Sequence, residues 1–148
     1  MNKIEVAVGV VAHPEQGIIL TQRAKNAHQG GKWEFPGGKV EESESPAEAL
    51  LRELGEEVGI MPLEYVLWRE QRFSYPDRHV ILYIYWVSKF SGIPYGAEEQ
   101  TLAWVQPPQL GEYHMPDANQ GFLPDLMAYA ESALSHQVSF SASTSSSM

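Results

Sequence analysis

The segment from Gly38 to Ile60 constrains this chain more than any other stretch. Its sequence is GKVEESESPAEALLRELGEEVGI. Ser45 is a good helix N-cap, and Pro46 suits the first helical position because its missing N–H had no intrahelical partner. Glu48, three residues after Ser45, completes a capping box, and Gly59 is a natural stop. These signals predict a helix of about three and a half turns over Pro46–Val58. At about 100° per residue, Ala47, Leu50, Leu51, Leu54 and Val58 share one arc that should face a core. Glu53, Glu56 and Glu57 fall on an adjoining arc. Arg52, four residues before Glu56, is placed to brace it.

Three carboxylates so close repel one another, and burying them unpaired is costly. A lone Glu-Glu pair is usually a solvated acidic face. Here the carboxylates border the apolar arc instead of opposing it, and Gly37 and Gly38 precede them. Clustered oxygen ligands suit a hard divalent cation such as Mg2+, or Mn2+ in its place. A cation bridging these carboxylates and substrate phosphates would relieve the repulsion and stabilise charge in phosphoryl transfer.

The chain has 148 residues, which suits one domain with a substantial core. Cysteine is absent, so disulfides, thiolate metal sites and a cysteine nucleophile are excluded. No apolar stretch is long enough to span a membrane, and no N-terminal signal pattern is seen, so a cytoplasmic protein is expected. The net charge of −9 opposes nucleic acid or an anionic membrane as a main partner. A free nucleotide is compatible with it, because metals and a few local cations can hold its phosphates.

Residues Ile4 to Val11 alternate as a strand, the turn His13–Gly17 follows, and Ile18 to Arg23 completes a hairpin. Trp33 to Phe35 is a short extended stretch. After the helix come β-rich runs at Tyr65–Tyr75 and His79–Phe90, joined by Pro76-Asp77-Arg78, then a strand at residues 101–106. A second helix lies within Pro116–Ala133 and starts near Asn119 or later. The order β-β-β-α-β-β-β-α predicts an α/β chain of the α+β type, with helices packed on a mixed sheet. The domain is expected to cover residues 1–134. The Ser-rich stretch 135–148 lacks the apolar content to pack and is expected to be disordered.

With every fixed position filled, Gly38–Ile60 resembles the signature of the Nudix hydrolases, which split nucleoside diphosphates linked to another group. The flanking motifs resemble the MutT branch of that family over residues 3 to about 130. They are Ala7-Val8-Gly9, Arg23 and His28, Trp33 to Gly38, Pro76-Asp77-Arg78-His79, and Pro116 to Asn119, in that order. The resemblance implies the Nudix fold, a mixed β-sheet packed between helices. It implies metal ligation by the Gly37 carbonyl and by Glu53, Glu56, Glu57 and Glu98. It makes Glu53 the residue that positions or deprotonates water and Arg52 the one that orients the carboxylates. Substrate contacts fall to Arg23 for phosphate and to His28, Glu34, Phe35, Arg78 and Asn119. Alone, Arg23 would be an ordinary strand-end charge and Glu98 an ordinary surface residue.

The substrate this branch implies is a free oxidised purine nucleoside triphosphate, 8-oxo-dGTP or 8-oxo-GTP, cut by a monomer to the monophosphate and pyrophosphate. Clearing it from the precursor pool prevents mutation. An Asn119 amide offers a donor and an acceptor side by side, which fits the edge that oxidation at C8 gives guanine. The same residue could instead cap the helix that follows. Phe35 could wall the base site, near Ile4, Val6 and Val80, or simply pack in the core. Two alternatives remain: a hydrolase of another nucleoside diphosphate derivative, or a module that binds an oxidised nucleotide without catalysis.

Overall fold

The fold is described by a computed structural model that covers residues 2–24, 30–97 and 100–146, with side chains through residue 135. Seven strands form one mixed sheet: β1 (Asn2–His13), β2 (Gly17–Gln22), β3 (Trp33–Glu34), β4 (Gly37–Lys39), β5 (Met61–Tyr75), β6 (Arg78–Ser91) and β7 (Thr101–Val105). Three α-helices accompany them: α1 (Pro46–Val58), α2 (Asp117–Gln120) and α3 (Leu123–Ser146). A 3-10 helix spans Pro107–Glu112.

The sheet order is β3-β2-β1-β6-β5, with β4 also on β1 and β7 also on β2. Among the described strands only β1 and β6 run parallel, pairing Asn2 with Arg78 through Val11 with Val87. The other edge of β1 is shared. β4 takes Val6–Val8, and β2 takes Ala12 and His13.

Both faces of β1 are covered, which explains its near-continuous apolar run. Val8, Val10 and Ala12 join a core with Phe122, Leu126 and Ala130 of the C-terminal helical region. Ala7 and Val11 join a second core with Leu50, Leu54 and Val58 of α1. Gly9 lets α1 come close, since a Cβ there would lie 2.9 Å from a Leu54 methyl. The expected sheet between helices is what forms.

The predicted helix is observed residue for residue, with the Ser45–Glu48 capping box and a left-handed Gly59 at its end. The buried arc differs from the expected one. Ala49 is fully buried with Leu50, Leu54 and Val58, while Leu51 is only half-buried. On a wheel of about 100° per residue, Glu57 falls about 20° from Leu50 and Glu53 about 60°, between Leu50 and Ala49. Glu56 falls about 120° away. Glu57 and Glu53 thus lie within the covered arc, while Glu56 sits just beyond Ala49 and is exposed.

The strand β4 and the 3-10 helix were not anticipated, and the C-terminal helical region divides at Gly121 into α2 and α3. α3 is helical through Ser146, into the Ser-rich stretch. Among its described side chains the last buried one is Leu134. No helix among the described residues is long and apolar enough to cross a membrane.

Candidate active site

The β4 segment explains how α1 brings carboxylates to the sheet. Gly37 and Gly38 pair with Val8 and Ala7 of β1. A Cβ on Gly38 would collide with the Glu53 carboxylate, so the bare backbone is what admits Glu53. Arg52 holds this region together. Its Nη1 donates to Glu53 Oε1 at 2.8 Å, its Nε to Glu44 Oε2 at 3.1 Å, and its Nη2 to the Lys39 carbonyl at 3.0 Å. Glu56, with its side chain 63% exposed, is a looser partner at 3.5 Å. The Glu44 bond, then the Glu53 bond and charge, hold Arg52 firmly protonated. The Arg52 guanidinium in turn keeps Glu44 below the usual carboxylate range, helped by the Glu41 N–H.

Among the described residues no cation pairs with Glu57. Its Oε2 accepts the Gly37 N–H at 3.0 Å, and its Oε1 accepts the Thr21 hydroxyl at 3.2 Å. Burial pushes its pKa up to about 7; the charges of Glu34 and Glu53 add to that, against the two hydrogen bonds. A cation brought to this carboxyl would favour its ionised form.

On the other side of Gly37 and Gly38 lies a cavity of about 420 Å3. Ile4, Val6, Val80 and Phe35 supply apolar wall, and Arg23, Glu34, Arg78 and Asn119 supply polar groups. Phe35 lines the cavity and also packs against Phe122, with ring centroids 6.1 Å apart. Arg23 is tied to Glu34 by two bonds of 3.0 and 3.1 Å, so each fixes the other at the rim. Arg78 lies over the Tyr75 ring at 4.8 Å and pairs loosely with Asp77.

Asn119 sits in α2, whose N-cap is Pro116, and so it does not serve as a side-chain cap. It is 8% exposed, and its backbone N–H bonds Pro116 O. Among the described residues nothing bonds its amide. Asn119 lines the cavity.

The expected residues Arg23, Glu34, Phe35, Gly37, Arg78 and Asn119 all line this one cavity. Glu53 and Glu57 meet it through Gly38 and Gly37. Among the described residues, no three acidic or histidine side chains stand as a ready metal cage. Glu53 is turned to Arg52 and Glu57 to Gly37 and Thr21. His28 and Glu98, both expected at the site, lie outside the described residues. Thr21, Lys39 and Tyr75 were missed, and Glu44 had no assigned role. Thr21 left one signal, a lone hydroxyl after the apolar run Gly17–Leu20.

Residues 3–126 match the NUDIX domain family. The 8-oxo-dGTP diphosphatase of Escherichia coli is 39% identical over 126 residues, covering 85% of this chain and 98% of that protein. The CTP pyrophosphohydrolase of the same organism is 37% identical over 130 residues, covering 86% and 94%. A solved MutT structure from work on Aliivibrio salmonicida and Vibrio cholerae superposes with a TM-score of 0.73 at 34% identity, covering 86% of this chain and 99% of that one. A chain with the capped helix, the carboxylates on bare glycine backbone and these relatives belongs to the Nudix family and is a MutT-like hydrolase.

Proposed function

We propose that this hydrolase cuts 8-oxo-dGTP, and 8-oxo-GTP, to the nucleoside monophosphate and pyrophosphate, and so keeps oxidised guanine out of the nucleotide pool. One observation carries the reading. The cavity lined by Asn119 is also lined by Gly37 and Gly38, the backbone on which Glu57 and Glu53 rest. Base recognition and bond cleavage then share one site of nucleotide size.

The donor set near Gly37 is all oxygen, which fits a hard divalent cation, Mg2+ or Mn2+. Glu53, Glu56, Glu57 and the Gly37 carbonyl would hold it, with Glu98 as a further ligand. When bound it supplies charge stabilisation to the phosphates. The protein's own groups do the rest. Arg23 and Arg78 hold phosphate at the rim. Arg52 keeps Glu53 oriented, and Glu53 takes the proton of the water that attacks the β-phosphorus as the monophosphate departs. Glu34 fixes Arg23 and Phe35 walls the base; His28 would add a nucleotide contact.

Selectivity comes from Asn119. Oxidation at C8 places a hydrogen on N7 of guanine, so its edge presents N7–H beside O6. The amide accepts the first and donates to the second. Against ordinary guanine its oxygen faces the N7 lone pair, and a buried mismatch of this kind discriminates strongly. Replacement of Asn119 by Ala is expected to weaken 8-oxo-dGMP binding by about tenfold or more while changing dGMP binding little. Calorimetry on the two ligands checks this. Equal losses for both would make Asn119 merely structural.

A second reading has its own support. A relative named CTP pyrophosphohydrolase is 37% identical over most of this chain. Cytosine presents an amino donor beside the N3 acceptor, a pattern the same amide can pair. Turnover of CTP with at least the efficiency seen on 8-oxo-dGTP would favour it. A substrate acting free in solution suits either case, since the net charge of −9 repels polyanions.

A further inference from the structure

Thr21 lies in β2 with no exposed surface, between Glu34 on β3 and Leu102 on β7. Its β-branch suits a strand, but valine would suit it equally without burying a hydroxyl. A buried hydroxyl is costly unless bonded. The partner of this one is Glu57, 36 residues away, whose Oε1 accepts the bond at 3.2 Å. The other carboxylate oxygen accepts the Gly37 N–H at 3.0 Å. The two donors belong to different strands, β2 and β4, which share one edge of β1. A carboxylate pinned at both oxygens cannot turn about its terminal torsion, which is otherwise soft.

We propose that Thr21 is a positioning residue, fixing the Glu57 carboxylate in the orientation from which it helps hold a divalent cation. The inference rests on the metal role proposed above for Glu57. Hydrogen-bond partners behind a ligand of this kind are worth about 10- to 100-fold in metal affinity. Thr21 also touches no substrate in this scheme, so its effect should appear with metal alone.

The test is Mn2+ binding to the full chain without nucleotide, by calorimetry or water-proton relaxation, with melting in EDTA as the measure of fold. Thr21→Val should weaken Mn2+ by about tenfold or more while melting in EDTA at or above the wild-type temperature. Thr21→Ser, which keeps the hydroxyl, should bind within about threefold of wild type. Should Thr21→Val fail to fold, Thr21→Ala carries the same comparison with Ser. Wild-type affinity in Thr21→Val, or equal weakening in the hydroxyl-bearing and hydroxyl-free variants, overturns the proposal. Glu57→Gln separates the two levels. If it leaves Mn2+ affinity unchanged, the metal role of Glu57 falls and this inference with it. If it weakens Mn2+ while Thr21→Val does not, only Thr21 is wrongly assigned.

Discussion

Glu57 is the residue on which folding and chemistry pull in opposite directions. Its carboxyl is partly buried against the sheet and its pKa rises to about 7, first through that burial. In the unfolded chain the same group titrates near 4.5. A raised carboxyl pKa means that the folded state binds the proton more tightly. Its contribution to stability is full below about pH 4.5 and is lost as pH rises through about 7. In EDTA the melting temperature should therefore fall across that window, and Glu57→Gln should flatten the slope. A wild-type curve that matches Glu57→Gln at every pH would show that the group is not buried as described. Cation binding needs the ionised form, so metal affinity should rise over the same range.

At the scale of elements, the decisive piece is the bare strand β4. Its two glycines are demanded for different reasons, and the variants should separate them. The atoms nearest a Cβ on Gly38 are the end of the Glu53 side chain, which can swing away. Gly38→Ala should fold normally and lose turnover, because Glu53 is displaced. A Cβ on Gly37 meets the Ala7 carbonyl oxygen of β1, which cannot yield, and Gly37 has a φ of 155°. Gly37→Ala should lower the melting temperature as well. Equal melting temperatures for the two variants would contradict this account of β4. The same element marks where sequence reasoning stopped. α1 was legible to its last residue because its caps are local signals. β4 was not, since glycines carry no strand preference and pair only because β1 offers an edge. Glu57 looked like part of a bordering face because its burial depends on where the sheet lies, which no helical wheel contains. Asn119 could be separated from a capping role only once α2 was seen to begin at Asp117 behind Pro116.

For the whole molecule, the sheet brings residues from β1, β3, β4, β6 and α2 around one cavity, with α1 presenting carboxylates at its edge. The described lining runs from Ile4 to Asn119, and the last buried side chain described in α3 is Leu134. Truncation after Ser135 should leave both the melting temperature and kcat/KM unchanged, and a loss of either would show that the Ser-rich segment belongs to the domain. In the function we propose, this cavity selects oxidised guanine and the neighbouring carboxylates cut its triphosphate. The most direct measurement is kcat/KM for 8-oxo-dGTP against dGTP with Mg2+ present. The expected result is a preference of at least about 100-fold for the oxidised nucleotide, as a buried donor–acceptor match requires. Equal efficiency on the two nucleotides would contradict it.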